Sequence, residues 1–90
     1  MNQSELIANV ARATGISKAD AERAVKATLN EIGDAIERKE EVNLAGFGTF
    51  RVEHRNARTG RNPQTGASMD IPAKNVIKFS PGKALRECVN

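Results

Sequence analysis

Ninety residues, 39% hydrophobic and 28% charged, are too apolar for a disordered chain and enough for one domain, with a size at which oligomerisation adds useful burial. A single cysteine, Cys88, and a single histidine, His54, exclude an internal disulfide and a four-ligand structural zinc site, so neither a metal nor a cofactor is expected. The formal net charge of +3 is uneven: residues 1–45 hold six Lys/Arg against eight Asp/Glu, whereas residues 46–90 hold eight against three.

A neutral-to-acidic half beside a basic half fits a scaffold that carries a polyanion-binding surface, though the same pattern can serve solubility alone. The first segment, MNQSELIANV, lacks a basic stretch followed by a long apolar run, and no apolar run reaches the eighteen or so residues of a membrane span. A soluble, cytoplasmic protein with no membrane partner is expected.

Asn2 and Glu5 have capping-box spacing, and Leu6, Ile7, Val10 and Ala11 then recur at helical intervals until Gly15, a natural left-handed stop. Ser17 with Asp20 marks a second N-cap. Ala21, Ala24, Val25, Thr28, Leu29, Ile32, Ala35 and Ile36 form the stripe of a longer helix, so two helices are expected to pack as a hairpin. Gly33 within that helix either admits a close neighbour or is tolerated at a cost of roughly 1 kcal/mol.

Past Glu41 the pattern becomes β-like: Val42 and Leu44, then Gly46-Phe47-Gly48-Thr49-Phe50, then Arg51 to Arg55. Phe50 and Val52 alternate with Arg51, Glu53 and Arg55. On the returning segment, Asn75, Ile77 and Phe79 alternate with Lys74, Val76 and Lys78. Pairing the two would gather Arg51, Arg55, Lys74 and Lys78 on one surface.

Between them apolar alternation stops, and Gly60, Pro63 and Gly66 bracket the polar run Gly60 to Gly66 as a hairpin tip. From about 55 to 63 such an arm extends roughly 26 Å at ~3.3 Å per residue, enough to follow a DNA groove. Arg55, Arg58 and Arg61 lie along it, with the middle one facing opposite the outer two. Guanidinium groups suit phosphate oxygens because their donors form a rigid fork. Pro63 is either a turn-former or a rigid apolar wedge that unstacks base pairs. Ser80-Pro81-Gly82-Lys83 then turns into a short terminal helix, Ala84 to Val89.

The run GFGTFRVEHRNARTGRNPQT, Gly46 to Thr65, resembles the signature of the bacterial HU/integration host factor family, closest to HU, and the likeness covers essentially all 90 residues. The match rests on the spacing of Phe47, Phe50, Arg55, Arg58, Gly60, Asn62, Pro63 and Thr65.

The resemblance implies an α+β fold: an N-terminal helical hairpin, a three-stranded antiparallel sheet with a long β-hairpin arm, and a short C-terminal helix. Residues 1–90 form a single domain, with 1–40 for dimerisation, 41–90 for the sheet and terminal helix, and the arm at 55–72. The chains form an intertwined homodimer, or a heterodimer with a paralogous chain, whose two arms wrap double-stranded DNA.

By this resemblance Arg55, Arg58, Arg61 and Asn62 line the minor groove and Pro63 intercalates. Lys18 and Lys83 hold flanking DNA in the family, but a solvated helix start and an ordinary turn account for them equally well. Bending of the duplex through the minor groove is likewise what the resemblance implies.

Phe47, Phe50 and Phe79 could stack bases, but the apolar faces inferred for Phe50 and Phe79 favour packing; with Leu44, Ile32 and Leu29 they are the expected dimer core. Gln3, Ala67 and Asp70 stand where many members of the family have lysine. Lys39 stands where a glycine usually ends the second helix, which leaves that end undefined. One His, one Cys and scattered acids offer no catalytic constellation and no small-molecule site. The expected function is architectural, largely sequence-nonspecific DNA bending for nucleoid organisation; the alternative is a sequence-preferring bender of the integration host factor type.

Overall fold

The computed structural model describes residues 1–90 as two compact units, Met1–Ala35 and Ile36–Asn90. The elements in order are α1 (Gln3–Thr14), α2 (Lys18–Glu37), β1 (Val42–Leu44), β2 (Gly48–Arg55), β3 (Arg58–Arg61), β4 (Ser68–Ile71), β5 (Lys74–Pro81) and α3 (Lys83–Cys88).

Both helical starts are set by their caps. The Asn2 side chain accepts the Glu5 N–H at 2.9 Å, and the Ser17 hydroxyl accepts the Asp20 N–H at 3.1 Å, each satisfying a donor that the first helical turn leaves free. Gly15, at φ 75°, closes α1 by donating its N–H to the Ala11 carbonyl. In this unit Ile7, Ala21 and Ala35 are buried. Leu6 and Val10 of α1 and Ala24, Val25, Thr28 and Leu29 of α2 line an open apolar groove of about 300 Å³.

The end of α2 is resolved in an unusual way. The helix stops at Glu37, and Lys39 adopts φ 62°, its N–H donating to the Ile36 carbonyl at 2.9 Å. A lysine therefore performs the left-handed turn that glycine makes without strain.

In the second unit β1, β2 and β5 form the expected three-stranded antiparallel sheet, ordered β1-β2-β5. Its register sets Phe50 opposite both Val42 and Phe79, and Val52 opposite Ile77, on one face. Gly48 is buried beneath the Phe79 ring: a Cβ there would lie 2.7 Å from two ring carbons and from the Ser80 carbonyl oxygen. That absence of a side chain lets Phe79 pack against Phe50 at 4.7 Å and Phe47 at 5.6 Å between ring centroids.

Three boundaries differ from expectation. Ser80 and Pro81 continue β5, Pro81 opposite Gly48, so the turn into α3 is confined to Gly82, and α3 begins at Lys83. Gly60 lies inside β3 opposite Met69, because it has no side chain to obstruct the Ile71 Cδ1, which a Cβ would approach to 2.9 Å. The arm pairs separately from the sheet as β3-β4, since Asn56-Ala57 on one strand and Pro72-Ala73 on the other interrupt the ladder, and Pro72 has no N–H to donate.

The core is thin for a chain of this length. No large side chain is fully buried, while Leu29, Phe47, Phe79 and Ile77 remain 47%, 46%, 40% and 64% exposed. Apolar residues are thus left open on the single chain.

Candidate nucleic-acid interface

Directly opposed residues on antiparallel strands project from the same face, so the register of β2 with β5 fixes the chemistry of each side. Arg51 lies opposite Lys78, and Arg55 opposite Lys74. The four expected cations therefore share one face, with Glu53 and Val76 paired between them. The other face carries Phe50, Phe79, Val52 and Ile77, and ends in a 3.0 Å hydrogen bond between His54 Nδ1 and Asn75 Oδ1.

Like charges directly opposite one another destabilise a bare sheet, and here two such pairs are kept. None of Arg51, Arg55, Lys74 and Lys78 belongs to an ion pair, and only Arg51 finds a hydrogen-bond partner, donating from Nη1 to the Ser80 hydroxyl at 3.2 Å. A surface of this kind is completed by an external anion.

The arm continues that chemistry. Arg58 pairs with Ile71 and Gly60 with Met69 on one face, whereas Thr59 pairs with Asp70 and Arg61 with Ser68 on the other. Arg58 and Arg61 point to opposite sides, as extended geometry demands, and both are exposed without an acidic partner. The small apolar strip of Met69 and Ile71 beside Arg58 escaped sequence reasoning, because it depends on the cross-strand register and on the gap at Gly60.

At the tip Asn62 is the organising residue. Its N–H donates to the Ala67 carbonyl at 2.9 Å, its carbonyl accepts the Gly66 N–H at 2.8 Å, and its side-chain Oδ1 accepts the Gln64 N–H at 2.9 Å. Gly66 takes φ 69° to close the turn. Pro63 follows Asn62 at the corner, fixed in φ and without an N–H to satisfy, and its ring is exposed. The turn is therefore a braced platform for Pro63, and Asn62 spends its oxygen acceptors on holding it.

The remaining predicted contacts lie elsewhere. Lys18 opens α2 in the helical unit and is exposed; Lys83 opens α3, 3.9 Å from Glu87. No group of three or more His, Cys, Asp or Glu side chains is placed to hold a metal ion, and no helix is long and apolar enough to cross a membrane.

A sheet and arm presenting unpaired cations, joined to helices with an open apolar groove, define a polyanion-binding scaffold. Comparison with known proteins specifies which. The family described as "Bacterial DNA-binding protein" matches residues 1–90. The chain is 52% identical over 89 residues to the DNA-binding protein HU of Geobacillus stearothermophilus, with 99% of each covered. It is 50% identical over 90 residues to HU-alpha of Pseudomonas aeruginosa, with both fully covered. Among solved structures it is similar to Anabaena HU in a cocrystal with DNA, at TM-score 0.85 and 43% identity, covering 99% of this chain and 97% of that one. HU from Thermotoga maritima matches at TM-score 0.72 and 33% identity with full coverage of both. The chain belongs to the HU family of bacterial DNA-binding proteins.

Proposed function

We propose that this protein is an architectural DNA-binding protein that works as a homodimer or heterodimer, binding double-stranded DNA largely without regard to sequence and bending it through the minor groove. The observation that carries this reading is the arm: an exposed two-stranded ladder with unpaired arginines, ending in a braced turn that presents Pro63.

In this reading Arg55, Arg58 and Arg61 follow the groove, and Pro63 inserts between base pairs. Arg51, Lys74 and Lys78 hold backbone phosphates on the sheet, while Lys18 and Lys83 hold the flanking duplex. Asn62 keeps the tip in shape, and its side-chain NH₂ remains free to reach the groove. Leu29 and Ile32 of α2 with Leu44, Phe47, Phe50 and Phe79 of the sheet form the dimer core; residues 1–40 serve mainly assembly, and 41–90 supply the sheet, the DNA-binding arm and the terminal helix. The reading contains no catalytic step and places the protein on the nucleoid, in the cytoplasm.

The alternative of a site-selecting bender is not favoured, since relatives at about 50% identity over the full length carry HU names. Energy transfer between the labelled ends of several unrelated duplexes, at one salt concentration, tests the proposal. The ends should approach on every sequence, with affinities within about tenfold; a gap near 10³ would restore the site-selecting reading, and no approach of the ends would end the bending one. Pro63→Ala should lose bend angle far more than affinity. An unchanged angle would remove the wedge.

A further inference from the structure

We propose that Glu53 is a fixed counter-charge within the basic sheet face and sets how tightly that face holds a DNA backbone, an inference that rests on the DNA-binding reading above. Glu53 occupies the middle of the face, opposite Val76, with Arg51 and Arg55 two residues away along β2 and Lys74 and Lys78 diagonal to it on β5. Side chains so related lie roughly 7 Å apart. Any phosphate docked on the Arg51/Lys78 or Arg55/Lys74 pair is then within about one Debye length of the carboxylate, too near for salt to hide it fully.

Glu53 is also unusual in how it is held. It is half-buried, its Oε2 is shut off from solvent without a hydrogen-bond partner, and no ion pair includes it. A carboxylate that merely neutralised a neighbour would close on that neighbour. One that is exposed, as Asp70 is on the arm, can turn away from an approaching phosphate. Glu53 can do neither, so its charge stays in the face when DNA arrives. Its buried oxygen has neither a hydrogen bond nor an ion pair to offset the loss of water. The remaining consequence is electrostatic: repulsion of the backbone and partial compensation of four cations that would otherwise release counterions from DNA.

The test is Glu53→Gln, read by fluorescence anisotropy with a labelled duplex of about 30 base pairs across a series of salt concentrations. Affinity should rise about three- to tenfold at low salt, with the gain shrinking as salt increases. The dependence of log K on log salt should steepen by up to about 0.9, one further phosphate contact. The melting temperature should not fall. A folded variant with equal or weaker affinity and an unchanged slope overturns the proposal. If Glu53→Gln fails to fold, Glu53→Thr, which suits a strand, is held to the same criteria, and loss of fold in both assigns Glu53 a structural role instead. Failure of the unsubstituted protein to bind any duplex would sink the DNA-binding reading independently.

Discussion

The two units differ in the share of their cations that they pair. In Met1–Ala35 two exposed pairs close within one helical turn: Lys26 donates to Glu22 at 2.9 Å, which lowers that carboxyl's pKa, and Arg23 lies 3.5 Å from Asp20. That unit also leaves open an apolar groove that includes Leu6, Val10 and Leu29. In Ile36–Asn90 the cations of β2, β3 and β5 have no carboxylate partner at all. An open apolar groove suits another apolar surface, and unpaired cations suit an anion.

That contrast breaks most visibly in the groove. In the proposed dimer Leu29→Asp puts an unpaired charge into the surface a second copy covers, at about 3–5 kcal/mol, and should weaken self-association by at least roughly a hundredfold. Sedimentation velocity at micromolar concentration reads the outcome, and an intact dimer would mean that the groove is not the assembly surface. Gly48→Ala strikes the sheet unit from inside. The added Cβ would meet the Phe79 ring and the Ser80 carbonyl at 2.7 Å, and the ring cannot retreat without leaving Phe50. A loss of about 1–3 kcal/mol in a denaturant melt is expected; an unchanged midpoint would show that the aromatic cluster packs loosely.

Smaller changes sharpen the anionic side of the comparison. Arg58→Ala and Arg61→Ala should leave dimer and fold intact, weaken duplex binding about tenfold or less, and each flatten the salt dependence by about 0.9. Because the two side chains leave opposite faces of the arm, equal effects mean that both faces touch DNA, as insertion into a groove requires. An effect from Arg58 alone would mean that the arm lies flat on the duplex.

The sequence announced those features that depend on residues close in the chain. The Asn2 and Ser17 caps follow from spacings of three, and the two faces of β2 follow from alternation. The gathering of Arg51, Arg55, Lys74 and Lys78 needed only the assumption that β2 pairs with β5, and the register bears it out. What stayed hidden depends on distance across strands. Glycine at position 60 reads as a turn residue until Ile71 is known to lie over it. Glu53 reads as one more charge on a charged face, because alternation gives direction and not depth. The break between sheet and arm is written only faintly, in Pro72 on the returning strand.

The end of α2 offers the finest test of the contrast, since it lies outside both unmatched surfaces. Lys39 holds φ 62°, where a β-carbon crowds its own backbone at a cost of roughly 1–2 kcal/mol, while its N–H must stay bonded to the Ile36 carbonyl. Glycine removes that strain but enlarges the conformational freedom of the unfolded chain, which offsets part of the gain. Lys39→Gly should therefore stabilise the protein by about 0.5–1 kcal/mol, a rise of a few degrees in melting temperature, and leave the affinity for duplex DNA unchanged. A clear loss of affinity would place Lys39 among the cations that meet DNA. Unchanged stability would mean that the lysine side chain returns in solution what its backbone loses.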